Sequence, residues 1–242
     1  MEAIKKVIKK SRNIVFFGGA GTSTESGIPD FRSAQGLYNR ADGTTYPPEQ
    51  ILSRSFFDRY PEDFFVFYRK YMLYPDAQPN PAHTALAQLE KLGKLQAVIT
   101  QNIDGLHQRA GSQKVLELHG SVERNYCMDC GSFYSLSHVL KSVEIVPRCL
   151  SCGGMVKPDV VLYEESLHLP LLESAIDYIA QAEVLIVAGT SLTVHPAAGL
   201  IRYYQGDCLV LINRSETPFD SVARYVLNDS VAEVLPQWVD AH

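Results

Sequence analysis

Two Cys-x-x-Cys pairs are the clearest chemical signal in the sequence. Cys127 and Cys130 form one pair, Cys149 and Cys152 form the other, and eighteen residues separate them. This spacing is typical of a zinc ribbon, in which two tight turns each supply two thiolates. A disulfide framework is the alternative, but a secreted scaffold of this length usually carries more cysteines and a signal peptide. The spacing therefore predicts one structural Zn²⁺ per chain.

His119 lies shortly before the first pair, which raises the question of whether it binds the same ion. Four thiolates complete a tetrahedron, and an all-cysteine site is closed, whereas catalytic zinc keeps one position open for water. The ion therefore needs no histidine, and the imidazole is available for proton transfer near neutral pH. The fifth cysteine, Cys208, lies in an apolar run and is predicted to be a buried, unreactive thiol.

The elements that position these residues alternate between apolar, β-branched runs and segments of helical spacing. The runs predicted as buried strands span residues 13–19, 95–101, 114–120, 183–190, 208–213 and 224–229. The segments predicted as helical span residues 80–94, 167–182, 195–206 and 229–239. Such alternation predicts an α/β protein with a Rossmann-like, doubly wound parallel sheet.

Two insertions interrupt this pattern and are predicted to form a smaller zinc-ribbon and helical lobe within one catalytic domain, residues 1–242. One insertion is polar and rich in aromatic residues, and the other carries the cysteines. The Rossmann-like lobe is assigned residues 1–29, 80–120 and 159–242, and the small lobe residues 30–79 and 121–158.

Unusual polar residues cluster directly after five of the predicted strands, in GAGTSTESG, QNID, HG, GTS and NRSETP. In an open parallel sheet, ligands bind in the crevice beyond the carboxyl ends of the strands. The first loop resembles a dinucleotide fingerprint through Gly19 and Gly21, but Thr24 stands where a third glycine is expected. No strand ending in a ribose-binding acid follows about twenty residues later. Because Arg32 is nearby, the sequence of this loop indicates an unusual nucleotide pocket and not only a tight turn between a strand and a helix.

Six motifs occur in a fixed order between about residues 13 and 235: GAGTSTESGIPDFRS, TQNIDGLH, ELHGSV, the paired Cys-x-x-Cys, GTSLTVHP and INRSETPFD. In this combination they resemble the sirtuins, NAD-dependent protein lysine deacylases, and most closely the short bacterial members. The resemblance implies that the amide oxygen of acetyl-lysine attacks the nicotinamide ribose, that nicotinamide leaves, and that the acetyl group ends on ADP-ribose. A base must then deprotonate a ribose hydroxyl near neutral pH.

By position in these motifs, the resemblance makes His119 that base. It implies that Asn102 orients the nicotinamide ribose and the attacking water, and that Gln101 contacts the ribose. Asp104 should hydrogen-bond the nicotinamide carboxamide beside the backbone of Ile103. Asp104 has a second possible role as a cap for the turn that follows it, and both can hold. His107 and His195 do not match the base position and are interpreted as structural.

The remaining NAD contacts follow from the same resemblance. Phe31 should shield the reaction centre from water, and Arg32 should meet the phosphates as a charged fork. The residues expected to cradle the pyrophosphate are Ala20, Gly21 and Thr24. The residues expected at the adenosine half are Gly189, Thr190, Ser191, Asn213 and Val231.

The resemblance also implies that an acetylated peptide binds as an extended strand between residues 157–165 and 191–196. Val160 should pack on the acyl-lysine stem, and Val194 should line the opposite wall. Many sirtuins read Phe-Gly-Glu where this sequence has Tyr163 and Glu164 followed by another glutamate. A glycine lets the peptide backbone approach closely, so this departure makes the peptide contacts uncertain, and the extra carboxylate would favour basic peptides.

The acyl preference is predicted to be neutral, with acetyl as the default. Sirtuins that remove succinyl or malonyl groups carry Tyr-x-x-Arg in the helix before the Pro-Asn-x-Ala-His motif. Phe65 and Tyr68 stand at those positions here, and Arg69 should point away from that face because adjacent helical residues diverge.

The bulk composition excludes several other classes of protein. The net charge of −5 argues against non-specific nucleic-acid binding, including by the zinc ribbon. The first residues lack the features of a secretory signal, and no apolar run is long enough to span a membrane. We therefore expect a cytoplasmic monomer that binds acetylated proteins and neither nucleic acid nor membrane. The main alternatives are an NAD-dependent mono-ADP-ribosyltransferase and a deacylase of other neutral acyl groups; a dehydrogenase leaves the cysteine lobe unexplained.

Overall fold

The structure is a computed structural model that describes residues 2–31, 36–39 and 46–239. Its main feature is a six-stranded parallel sheet in the order β3-β2-β1-β7-β8-β9. The strands of this sheet are β1 (Ile14–Gly18), β2 (Leu95–Thr100), β3 (Val115–Glu117), β7 (Val184–Ala188), β8 (Cys208–Ile212) and β9 (Tyr225–Leu227). The order reverses between β1 and β7, as in a doubly wound Rossmann-like sheet, and this confirms the predicted fold class.

A second, antiparallel sheet has the order β5-β4-β6. It comprises β4 (Gly120–Cys127), β5 (Phe133–Ser135) and β6 (Val156–Val160). All six strands predicted for the parallel sheet are present, but residues 114–120 do not form one strand. β3 ends at Glu117 and β4 starts the other sheet at Gly120, so His119 lies in the short link between the two sheets.

Ten α-helices are described among these residues. They are α1 (Glu2–Lys10), α2 (Pro48–Ile51), α3 (Arg54–Arg59), α4 (Pro61–Tyr71), α5 (Pro81–Lys91), α6 (Leu106–Arg109), α7 (Leu136–Lys141), α8 (Leu169–Gln181), α9 (Val231–Val234) and α10 (Pro236–Val239). The segment predicted as helical at 195–206 is a 3₁₀ helix, Ala197–Tyr203. The last segment is split into two short helices at Pro236, whose ring cannot continue a helix. None of the described helices is long and apolar enough to cross a membrane.

Three apolar clusters hold these layers together. Alternate residues of β1 point to opposite faces of the parallel sheet, with Phe16 toward α1, α5 and α10 and Phe17 toward α8. The third cluster joins aromatic residues of α3 and α4, such as Phe57 and Phe64, to Val122 and Val139 of the cysteine insertion. This shared core supports the predicted small lobe, whose boundaries at 30–79 and 121–158 remain a prediction.

Candidate active site

A cavity of about 570 Å³ lies at the carboxyl ends of β1, β2, β7 and β8, between the parallel and antiparallel sheets. Its position is the crevice at which open α/β sheets bind nucleotides. Every described residue predicted for NAD or peptide binding lines this cavity. Arg32 lies outside the described residues.

The loops after β1 and β7 approach each other through backbone alone. The Gly21 amide donates to the Gly189 carbonyl at 2.8 Å, and a Cβ on Gly21 would lie 2.7 Å from the Gly189 Cα. Gly189 has φ +60°, in the left-handed region, and a Cβ there would meet the Thr22 amide nitrogen at 2.4 Å. These glycines are therefore required for contact between two loops, a reason that the sequence pattern did not reveal.

Side chains join the loops further along the crevice. Gln101 Nε2 donates to Thr190 Oγ1 at 3.1 Å, and the Thr190 amide donates to Asn213 Oδ1 at 2.9 Å. The loops after β2, β7 and β8 therefore form one connected wall. This wall places Gln101, Thr190 and Asn213 together, as the sequence predicted from separate motifs.

His119 is held at the junction of the sheets by a single directed bond. Its Nδ1 lies 3.0 Å from the Gln101 carbonyl oxygen, which can only accept, so Nδ1 carries the proton in the neutral ring. Nε2 is left with a lone pair in the cavity wall. Burial lowers the pKa of His119, and the bond to the Gln101 carbonyl partly opposes this. The ring is therefore neutral at physiological pH, and its Nε2 is able to accept a proton.

A second cluster centres on Ser23, which the sequence analysis did not single out. Ser23 Oγ donates to Asp104 Oδ2 at 2.7 Å and accepts from Asn102 Nδ2 at 3.0 Å. Its position in the loop after β1 was a usable signal, because polar residues at strand ends converge on the crevice. Asp104 also accepts the Leu106 amide at 2.9 Å, so it caps the turn as well as lining the cavity.

His83 contacts Ser23 on the side away from the cavity lining. The Asn80 amide donates to His83 Nδ1 at 3.2 Å, so the proton of the neutral ring lies on Nε2, which is 3.5 Å from Ser23 Oγ. Burial lowers the pKa of His83 to about 4, although the nearby Asp104 carboxylate opposes this. His107, whose ring packs against His83, has its pKa lowered well below the usual value by burial. Neither ring lines the cavity, so the interpretation of His107 as structural stays a prediction.

The four cysteines form a separate cluster whose Sγ atoms all lie within 4.8 Å of one another. Cys127 and Cys152 are 3.4 Å apart and Cys130 and Cys149 are 3.6 Å apart, measured between sulfurs. A Zn–S bond of about 2.3 Å implies a sulfur–sulfur edge of about 3.8 Å in a tetrahedron, so the site fits zinc. His119 is not part of this cluster. The Tyr134 hydroxyl lies 3.2 Å from Cys149 Sγ, where it supports the thiolate from outside.

The predicted peptide-binding segment is fixed to the start of α3. The Tyr163 amide and carbonyl pair with Leu52 and Arg54, and the Glu164 carboxylate accepts from the Ser55 amide at 2.8 Å and from its hydroxyl at 2.9 Å. Glu164 has φ +76°, the left-handed conformation that favours glycine. Glu164 therefore has a backbone conformation that glycine adopts without strain, and its side chain caps a helix.

The two positions compared with the Tyr-x-x-Arg pair are occupied by core residues. Phe65 and Tyr68 are fully buried in the third cluster and do not line the cavity. Arg69 donates to the Glu144 carbonyl at 3.0 Å and also lies off the cavity, as expected. The described lining instead carries seven carboxylates against two guanidinium groups: Asp30, Asp104, Glu123, Glu164, Glu165, Glu216 and Asp229 against Arg109 and Arg214.

Together, the parallel sheet, the crevice and the four-thiol cluster define a nucleotide-binding α/β protein with a structural metal site. Residues 19–196 match the model of the Sir2 family, and the chain belongs to that family. The resemblance to the sirtuins is thereby confirmed.

Curated relatives and solved structures resemble nearly the whole chain. The NAD-dependent protein deacetylases of Clostridium tetani and Clostridium perfringens are each 60% identical to it, over 96% and 98% of the chain and 94% and 97% of the relatives. A Sir2 structure with a p53 peptide and NAD+ is 40% identical with a TM-score of 0.86. A Sir2 variant with deacetylated p53 peptide and 3′-O-acetyl-ADP-ribose is 40% identical with a TM-score of 0.89. Each alignment with these two structures covers 99% of the chain and 97% of the structure.

Proposed function

We propose that this chain is an NAD-dependent protein lysine deacetylase. One observation carries the proposal most directly: a neutral imidazole, oriented by a backbone carbonyl, faces a nucleotide crevice and takes no part in the metal cluster. The relatives named as NAD-dependent protein deacetylases cover the same length of chain. When bound, NAD supplies an activated ribose that accepts the acetyl group as nicotinamide is released.

The described cavity fits NAD because loop backbone forms its floor at the carboxyl edge of the sheet. Amides of a glycine-containing loop suit a pyrophosphate, and we assign this contact to Ala20, Gly21 and Thr24. The adenosine half lies along the connected wall, at Gly189, Thr190, Ser191, Asn213 and Val231. The role of Arg32 stays a prediction.

The Ser23 cluster orients the groups nearest the reacting ribose. Asn102 is almost fully buried and Asp104 is bonded through both carboxylate oxygens, so neither side chain is free to turn. Fixed polar groups contribute to catalysis by holding the substrate in a reactive geometry. Asn102 positions the ribose and water, Asp104 binds the carboxamide beside Ile103, and Gln101 contacts the ribose. Phe31 covers the centre against water.

His119 acts as the general base through Nε2. Its Nδ1–H bond to Gln101 keeps that nitrogen protonated, so Nε2 is the atom that receives the proton of a ribose hydroxyl. Burial lowers the pKa of the ring and keeps it unprotonated at neutral pH. This arrangement suits deacetylation, whereas transfer of ADP-ribose alone does not need a base for the later step.

An acetylated peptide is assigned to the cleft between Val160 and Val194, both of which line the cavity. Tyr163 and Glu164 present the backbone of one wall, although the Glu164 carboxylate is engaged by Ser55. The excess of carboxylates over guanidinium groups favours a lysine-bearing partner and disfavours an anionic acyl group. Acetyl is therefore the expected substrate, with other neutral acyl groups as the alternative.

Nicotinamide release from NAD, measured with and without an acetyl-lysine peptide, tests the proposal. We expect peptide-dependent release with equimolar O-acetyl-ADP-ribose, and slower turnover of the succinylated peptide. Release without peptide, or ADP-ribose attached to protein, would instead indicate a glycohydrolase or a mono-ADP-ribosyltransferase. A cytoplasmic monomer without affinity for nucleic acid or membrane remains a prediction, which sedimentation and DNA titration can check.

A further inference from the structure

An ion pair bridges three segments at one end of the cavity. Glu25, in the 3₁₀ turn after the first loop, accepts from Arg214 Nη2 at 3.2 Å through Oε1. The same oxygen accepts from the Ser230 hydroxyl, just before α9. These residues are distant in sequence, so the contact exists only in the folded chain.

Arg214 and Ser230 both line the cavity beside Asn213 and Val231. Under the proposed function, on which this inference rests, that end of the cavity holds the adenosine half of NAD. Glu25 therefore controls the charge next to the adenosine ribose, although it does not itself line the cavity. Neither the NAD assignment nor the peptide assignment gives this residue a role.

Dinucleotide sites distinguish NAD from NADP by the charge of the side chains next to the adenosine ribose. A carboxylate near the ribose suits the 2′-hydroxyl of NAD, whereas a free arginine suits the 2′-phosphate of NADP. Here the one guanidinium that the described residues place at this end, Arg214, is bound to a carboxylate. Glu216 and Asp229 add two more carboxylates to the cavity wall. Three negative charges therefore stand against one positive charge.

We propose that Glu25 is a specificity-determining residue that excludes 2′-phosphorylated dinucleotides by pairing with Arg214. A 2′-phosphate adds about two negative charges at neutral pH and would meet a wall that is already negative. With the charge of Glu25 removed, Arg214 becomes an available partner for that phosphate, as a bidentate cation.

Isothermal titration calorimetry with the full chain tests the proposed role of Glu25 by measuring binding, without requiring turnover. The probes are ADP-ribose and 2′-phospho-ADP-ribose, and the measured quantity is the ratio of their dissociation constants. In Glu25→Gln we expect the preference for ADP-ribose to fall about tenfold. In Glu25→Gln combined with Arg214→Gln, the gain in affinity for the phosphorylated probe should disappear. Glu173→Gln, an exposed site on α8 away from the cavity, makes the same charge change and should leave the ratio unaltered.

A second measurement uses the unmodified chain. Raising the salt concentration should bring the dissociation constants of ADP-ribose and 2′-phospho-ADP-ribose closer together, because exposed charges are screened. An unchanged ratio in Glu25→Gln, with the parent still binding ADP-ribose and deacetylating with NAD, would overturn this inference alone. Failure of the parent to bind either probe would overturn the proposed function with it. Because the Glu25 side chain is 36% exposed, the substitution should fold, and its melting temperature verifies this.

Discussion

The partly buried imidazole of His119 is the group whose proposed role distinguishes this site from a metal hydrolase. The ring is fixed through Nδ1 and kept neutral by burial. The four cysteines supply all four ligands that one tetrahedral metal ion needs. An all-cysteine tetrahedron leaves no position for an activated water. Loss of the base should therefore leave the metal content unchanged, and loss of a cysteine should lower it.

We expect His119→Ala to lose at least about 100-fold in deacetylation rate, since general base catalysis contributes on that order or more. The zinc content, measured by elemental analysis of the purified variant, should stay at one ion per chain. Cys130→Ser is the matched comparison and should lower zinc content. Loss of metal in His119→Ala would contradict the separation of the two sites.

The pH dependence of deacetylation should reflect the lowered pKa of His119. The base works only when unprotonated, so activity rises with pH through that pKa. Because burial places the pKa below the ordinary 6.5, half of the limiting kcat/KM should be reached below pH 6.5. Rates measured from pH 5 to 8 at low peptide concentration check this. A midpoint above 6.5 would contradict the expected environment of the ring.

Glu164 joins the segment that we propose to bind peptide to helix α3. Its left-handed backbone has a conformational cost for any residue except glycine, and its carboxylate offsets that cost by capping α3 at Ser55. The glutamate that stands at the position of the glycine in Phe-Gly-Glu therefore directs its side chain toward the helix.

Substituting Glu164 with glycine and with alanine separates these two effects. Both variants lose the bonds to Ser55, but only alanine keeps the strained backbone. We expect Glu164→Gly to be more stable than Glu164→Ala by about 1 kcal/mol in urea unfolding. Equal stability of the two variants would mean that the left-handed conformation carries no cost here.

Two neutral imidazoles are buried between β1, α5 and α6, and their burial links the stability of the whole molecule to pH. His83 is bonded to Asn80 and Ser23 and lies near Asp104, and burial lowers its pKa to about 4. His107 packs against His83 and Phe16, and neither of its ring nitrogens has a hydrogen-bond partner in the described chain. Protonation of either ring is therefore disfavoured in the folded state.

Stability should fall as the pH drops from about 6.5 toward 4. In that window the unfolded chain binds protons on these histidines and the folded chain does not, so acid favours unfolding. Melting temperatures across this range check the trend. His107→Leu should make the loss shallower, whereas His168→Gln, at an exposed position, should leave it unchanged. A slope that is unaltered in His107→Leu would contradict this origin.

The sequence by itself determined the features that local pattern encodes. Apolar runs marked all six strands of the parallel sheet, and cysteine spacing marked the metal cluster, because period and spacing are properties of neighbouring residues. Motif order also marked residues that line the cavity, although many other lining residues were not marked. The reason that Gly21 is glycine was not evident, since it lies in a contact with Gly189, in the loop after the neighbouring strand β7.

Only the tertiary structure decided which residues meet. The hub at Ser23, the Glu25–Arg214 pair and the Glu164 cap each join segments far apart in sequence. It also placed Phe65 and Tyr68 in the third apolar cluster, away from the described cavity lining. Hydrogen bonds and burial depend on distance in space, and a one-dimensional pattern contains no distances between remote residues. The types of chemical group could therefore be predicted from the sequence, whereas their arrangement in space is set by the folded structure.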